Sequence, residues 1–197
     1  MLEHARHVQL RPLPWNASEV ATAIEQAVSD ALVHFEFEQF WPAHPLDEGL
    51  PNGHTSFYQG ATGVIWALEF LGRMGATKTR FDFRPVLPRL MEANKAEFTS
   101  QHYSAHGSFL KGDLGTALLA MSMTPTPSIA DAIHARAEAN TSLPVRELMW
   151  GLPGSMLACI HMAEMTGEPR WRALFAAQAV RLLDELEETA DGPLWTQ

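Results

Sequence analysis

Apolar and polar residues alternate along this chain in two ways, and both carry the period of a helix. From Asn16 onward, Val20, Ile24, Ala27, Val28, Ala31, Leu32 and Phe35 fall on one face at three- and four-residue spacing. Glu19 stands three places after Asn16, where a capping box puts its acid, so the spacing predicts an amphipathic helix. A second kind of segment has almost no polar side. Residues 64–71 carry one charge, Glu69, residues 116–121 carry none, and residues 155–162 hold only Ser155 and His161 among apolar neighbours and Cys159. A helix with that pattern is buried on most of its sides.

The two kinds take turns. Gly72 and Gly75 end the first apolar run, and Phe83, Val86, Leu87, Leu90, Met91 and Asn94 then trace an amphipathic stripe, with Arg84, Arg89, Glu92 and Lys95 elsewhere. Pro85 and Pro88 fall early in it, so this helix starts late or bends at Pro88. After the second run, Pro127 and Ser128 lead into the weakest stripe, Ile129, Ala132, Ile133, Arg136 and Ala137. The third run stops near Gly167, and Pro169 opens a strong stripe of Trp171, Leu174, Phe175, Ala179, Leu182, Leu183 and Leu186. No segment reads as a convincing strand, and the expected class is all-α.

Straight before each apolar run stands a Gly-x-x-Gly: Gly60 with Gly63, Gly112 with Gly115, and Gly151 with Gly154. The chain is therefore a repeat of helical hairpins, each leaving an apolar face that only its neighbours can cover. One member of each pair is buried all round and the other on one face. Two concentric layers meet both demands, which is an α/α toroid of the six-hairpin type or, with about three repeats, an incomplete arc of one. The expectation is one domain over residues 1–197, with a poorly ordered leader over 1–15. Gly60, Gly112 and Gly151 lie where a loop turns into a helix, and Gly63, Gly115 and Gly154 let a neighbouring backbone come close. Phosphate cradling does not fit, because no strand precedes and no Gly-Lys-Ser/Thr follows.

Aligned on these glycines, the chain resembles the lanthionine synthetase C-like (LanC-like) family. The stretches that carry the resemblance are residues 56–63 (SFYQGATG), 109–115 (FLKGDLG) and 147–154 (ELMWGLPG), with residues 192–197 (GPLWTQ) resembling the entry to a further repeat. The resemblance covers roughly residues 50–197. It implies an α/α toroid and descent from enzymes that add cysteine thiols to dehydrated residues in peptides. In cyclising members zinc is held by a cysteine of a Trp-Cys element and by an adjacent Cys-His pair in later repeats, and a histidine just before a Gly-x-x-Gly moves protons. Here Gln59, Lys111 and Trp150 precede the first glycines, so that histidine is not matched, and one cysteine cannot make a two-cysteine site. The expectation is a chain without catalytic or metal residues of its own, acting as a fragment, scaffold or peptide-binding module. A missing C-terminal half carrying the zinc, or self-association through the open ends of the arc, would complete it.

Composition narrows the partners. With 197 residues, 46% hydrophobic and 19% charged, the chain is long enough for a substantial core. A net charge of -9 and a pI near 5.4 argue against nucleic acid and against a polybasic membrane anchor. No run reaches the length of a membrane span, and the polar start with His4, Arg6, His7 and Arg11 lacks a signal peptide's apolar centre. With Cys159 the lone cysteine, no intrachain disulfide forms, and a cytoplasmic setting is expected.

Candidate ligand-binding residues gather around the Gly-x-x-Gly elements: Tyr58, Gln59, His106, Lys111, Asp113 and Trp150, with His102 and Tyr103 nearby. Cys159 and His161, two apart on a helix, point to nearly opposite sides and cannot share an ion, which leaves the cysteine buried and inert. Asp47 and Glu48 are a solvated turn, and Trp150, Trp171 and Trp195 pack between helices, Trp150 with a face toward a ligand. A rival reading is a carbohydrate-active enzyme of the six-hairpin type, which shares the toroid shape but needs two carboxylates facing one cavity.

Overall fold

A computed structural model of the chain describes residues 14–43, 53–100 and 107–195. Seven helices follow one another: α1 (Ala17–Val33), α2 (Ala61–Arg73), α3 (Leu87–Ser100), α4 (Leu114–Met123), α5 (Pro127–Ala139), α6 (Leu152–Thr166) and α7 (Pro169–Asp184). Their ends obey local chemistry. The Asn16 side chain accepts from the backbone N–H groups of Ser18 and Glu19 at 3.1 and 3.2 Å and donates to Glu19 Oε1 at 2.8 Å. Gly167, at φ 71, closes α6 in the left-handed conformation, and Pro169 opens α7. A 3-10 turn over Arg84–Val86 takes up Pro85, and Pro88 sits in the first turn of α3, so this helix starts late.

One expectation is corrected outright: two short strands are present. β1 (Glu187–Thr189) and β2 (Gly192–Leu194) pair antiparallel across a turn that Gly192 enters at φ 103. They are three residues long and mostly exposed, so no buried face imprinted a period of two on the sequence.

Helices α4 and α5, and α6 and α7, pack as successive pairs, and α4 sits in the middle, against α2, α3, α5 and α6. One core joins Leu114, Leu118 and Met121 of α4 to Ile133 and Ala137 of α5, Ala158 and Met162 of α6, and Trp171 of α7. A second joins Leu119 and Ala120 of α4 to Ile65 of α2, Phe83, Val86, and Leu87 and Leu90 of α3. Helix α4 serves both cores, which is why its sequence is apolar all round.

The other two apolar runs are not enclosed as the sequence implied. Trp66 and Phe70 on α2 remain 40% and 41% exposed, and Ile160 and Met165 on α6 remain 41% and 43% exposed. Enclosure needs a neighbouring apolar helix on both sides, and among the described residues α4 has α2 and α6. The amphipathic stripes shift in detail as well. Ala130 is buried where Ala132 was expected, Met91 and Leu183 lie at the surface, and Gln178 is fully buried within the α7 stripe. Its amide donates to Ala137 O at 2.7 Å and Thr141 Oγ1 at 3.1 Å, so a polar residue occupies a core position without an unmet donor.

Helix α1 lies at the edge, with Val28 its one fully buried residue. Glu25 ties it down, accepting from Thr77 Oγ1 at 2.8 Å, Lys78 N at 2.6 Å and Thr79 Oγ1 at 3.2 Å. These donors, the Lys78 backbone N–H first, hold the Glu25 carboxyl below its ordinary value. Phe35 adds ring contacts with Trp41, Phe81 and Phe83, at centroid distances of 5.0, 5.2 and 5.4 Å. Among the described residues, no helix is long and apolar enough to cross a membrane.

Candidate functional site

The three Gly-x-x-Gly junctions share one construction. Gly60 and Gly151 stand as N-caps of α2 and α6 with extended backbone, whereas Asp113, not Gly112, holds that place before α4. In the first and third junctions the residue after the cap donates back seven positions, Ala61 N to His54 O at 2.9 Å and Leu152 N to Val145 O at 3.2 Å. The second glycine is governed by space. A Cβ on Gly63, Gly115 or Gly154 would run into the carbonyl oxygen six residues earlier, that of Phe57, Phe109 or Leu148. Each preceding loop therefore folds flat across the first turn of its helix, and that fixes where the residues before the glycines project.

Those residues meet. The Lys111 ammonium sits over the rings of Tyr58 and Trp150, 5.5 and 5.6 Å from their centroids, and donates to Gln59 Oε1. Tyr58 N donates to Leu110 O at 2.9 Å, which joins the first loop to the second. The Glu147 carboxylate accepts from Met149 N and Trp150 N at 2.7 and 2.6 Å and so sets the indole in place. Partial burial pushes the Lys111 amine below its ordinary value, while the Glu97 charge acts in the opposite direction. Each cation–π contact contributes about 0.5–2 kcal/mol, more as water is excluded. The cluster is a half-open cleft with one positive charge between two aromatic faces, and Tyr58 is 58% exposed. An anionic group flanked by an apolar one matches that surface.

Of the expected binding residues, Tyr58, Gln59, Lys111 and Trp150 come together. Asp113 lies beyond them, its carboxylate 2.5 Å from Arg136 Nη2 on α5. His102, Tyr103, His106, Asp47, Glu48 and the leader 1–13 lie outside the described residues. Trp171 is fully buried, and Trp195 donates to Leu182 O at 2.7 Å. Cys159 is buried with its sulfur 4.0 Å from Gln178 Oε1, whereas His161 stacks toward Phe109, centroids 6.3 Å apart. Burial pushes the Cys159 thiol up to about 11, so it stays protonated and unreactive at neutral pH. Among the described residues, no group of three or more His, Cys, Asp or Glu side chains could hold a metal ion.

A polar network behind the cleft escaped the sequence reading. The buried Glu97 carboxylate accepts from Thr55 N at 2.8 Å and Thr55 Oγ1 at 2.5 Å and stands 2.9 Å from His54 Nδ1. Asn94 Nδ2 donates to Thr55 Oγ1 at 3.0 Å. Thr62 Oγ1 bonds Thr55 O at 2.6 Å and Thr116 Oγ1 of the next unit at 2.8 Å. This network locks the first loop onto α3 and α2 onto α4. Its signal was available, because Glu97 lies three residues after Asn94 and extends the α3 stripe with an acid where an apolar residue would be expected.

A separate cleft of about 410 Å³ lies on the α2 side, lined in part by Trp66, Glu69, Arg73, Arg84 and Met123. Its Arg84 is held by Asp82 at 2.8 Å through Nε and Nη2. Compared with known protein families, curated proteins and solved structures, the chain matches none.

Proposed function

We propose that the chain is an arc of an α/α toroid related to LanC-like proteins, and that it holds a peptide at the Tyr58–Lys111–Trp150 cleft without carrying out thiol addition itself. One observation carries the reading: the residues immediately before three separate Gly-x-x-Gly elements converge on a single cation–π cleft. A merely structural loop has no need of an ammonium held between an exposed ring, Tyr58, and a half-buried one, Trp150. The peptide best matched presents a carboxylate beside an aromatic or aliphatic side chain, so that the charge meets Lys111 and the apolar group meets Tyr58 or Trp150. Glu97 and Glu147 are engaged by loop donors and Asp113 is paired with Arg136, which favours peptide holding over glycoside hydrolysis.

Fluorescence anisotropy with labelled acidic, neutral and basic peptide pools tests this directly. The acidic-aromatic pool should bind, and Lys111→Met and Trp150→Ala should each weaken it about tenfold or more with unchanged circular dichroism. Equal binding by the two variants and the wild type would overturn the assignment of the cleft. In parallel, a peptide bearing dehydroalanine and cysteine should keep its free thiol, read by alkylation and mass spectrometry, in the presence of the chain and zinc. Loss of that thiol would overturn the non-catalytic reading.

A further inference from the structure

The contact between successive units is made twice in the same way. Phe57 of the first loop places its Cβ 3.0 Å from the Cβ position of Gly115, and Phe109 of the second places its own 2.8 Å from that of Gly154. Each phenylalanine is the residue six before the second glycine of its own unit, so every loop offers a side chain whose root fits the bare helix start of the next. The rings of Phe57 and Phe109 also touch, with centroids 5.6 Å apart, and the Thr62–Thr116 hydrogen bond closes the same seam.

This rule leaves one of each part over. Leu148 holds the position of Phe57 and Phe109 in the third loop, and it is 47% exposed. Gly63 is the second glycine of the first unit, and the three atoms nearest its Cβ position all belong to Phe57 of its own loop, with none from a preceding unit. Ile160 and Met165 are exposed apolar residues on α6, the helix that follows Leu148, and Phe70 is one on α2, the helix of Gly63. Leu148 and the start of α2 are thus complementary halves of an interface that already exists twice inside the chain.

We propose that a second copy of this chain docks head to tail, with Leu148 of one copy seated against Gly63 of the next. Such a contact is heterologous: it uses different surfaces on the two copies, so each added copy presents a fresh end, and the product is a ring or an open chain and not a two-fold dimer. It stands independently of peptide holding at the cleft, which uses Lys111 and not Leu148. Leucine in place of the phenylalanine of the other two units makes this joint weaker than the internal ones, and so reversible.

Sedimentation velocity between about 1 and 100 μM, a range that brackets a micromolar contact, tests the assembly. The wild-type chain should shift from monomer toward larger species as concentration rises. Leu148→Glu should weaken association at least about tenfold, and Leu148→Phe, which restores the residue of the other units, should tighten it. Unchanged circular dichroism and thermal midpoint separate these effects from misfolding. A single monomeric species across the range, association indifferent to Leu148→Glu, or weakening by Leu148→Phe would each overturn the proposal.

Discussion

The middle unit and the end units are written in nearly the same sequence pattern and have different physical fates. Helix α4 is closed off by α2 on one side and α6 on the other, and Leu114 at its start is fully buried. Helices α2 and α6 are built on runs of the same kind, yet Trp66, Phe70, Ile160 and Met165 keep about two-fifths of their surface in water. A mostly apolar run therefore means core in one place and available surface in another. The glycines show the same contrast, since Gly115 has Phe57 of the preceding unit among its three nearest approaches, whereas the three nearest to Gly63 all come from its own loop.

The largest test of that contrast is Gly115→Val. A branched side chain there has to displace the Phe109 carbonyl and the Phe57 Cβ at once, and the expected cost is about 3 kcal/mol or more, enough to lose most of the folded population. Gly75→Ala is the control. That glycine has φ +69 and nothing within 4 Å of its Cβ position, so the cost is the left-handed backbone alone, about 1–2 kcal/mol. Urea unfolding of the two variants checks the order, and equal losses would break the distinction between junction glycines and ordinary turn glycines.

The core helices give a smaller effect. Leu114→Ala should destabilise by about 2–5 kcal/mol, because a cavity opens in the core that α4 shares with α5, α6 and α7. Phe70→Ala should cost well under half as much despite removing a larger side chain, since its ring is already partly hydrated. Were Phe70→Ala the costlier of the two, the α2 face would be core rather than open surface.

The smallest effect sharpens the edge of the molecule. Glu25 has its folded pKa below the ordinary value of 4.5, so its bonds to residues 77–79 contribute stability above the unfolded pKa. That contribution disappears as pH falls through the lower folded value. Glu25→Gln should therefore lower the thermal midpoint slightly near neutral pH, and the gap from wild type should close on acidification. A gap that widens in acid would contradict the role of the ionised carboxylate in holding α1.

Much of the fold was legible because it is local. Asn16 with Glu19, Gly167 and Pro169 act within a few residues of themselves, and they mark helix ends where the structure has them. The four residues of the cleft were also singled out, since repetition placed Tyr58, Gln59, Lys111 and Trp150 at equivalent points of equivalent loops. What escaped was whatever depended on a partner far along the chain. Glu97 belongs to the first loop although it lies 42 residues from Thr55, and Gln178 is a core residue because Ala137 O accepts from it 41 residues away. The β1–β2 hairpin escaped for another reason, in that exposed strands leave no hydrophobic trace.

The order of residues settled the all-α class, the pairing of apolar with amphipathic helices and the three glycine junctions, because helix periodicity and a missing Cβ act over a few residues. Tertiary packing decided which apolar helix is enclosed, which acid serves a buried network, and that an ammonium stands between two rings. Those outcomes depend on which surfaces neighbours cover: for α4 and Lys111 the neighbours are other units of the repeat, and for Glu97 they are the loop that opens its own unit.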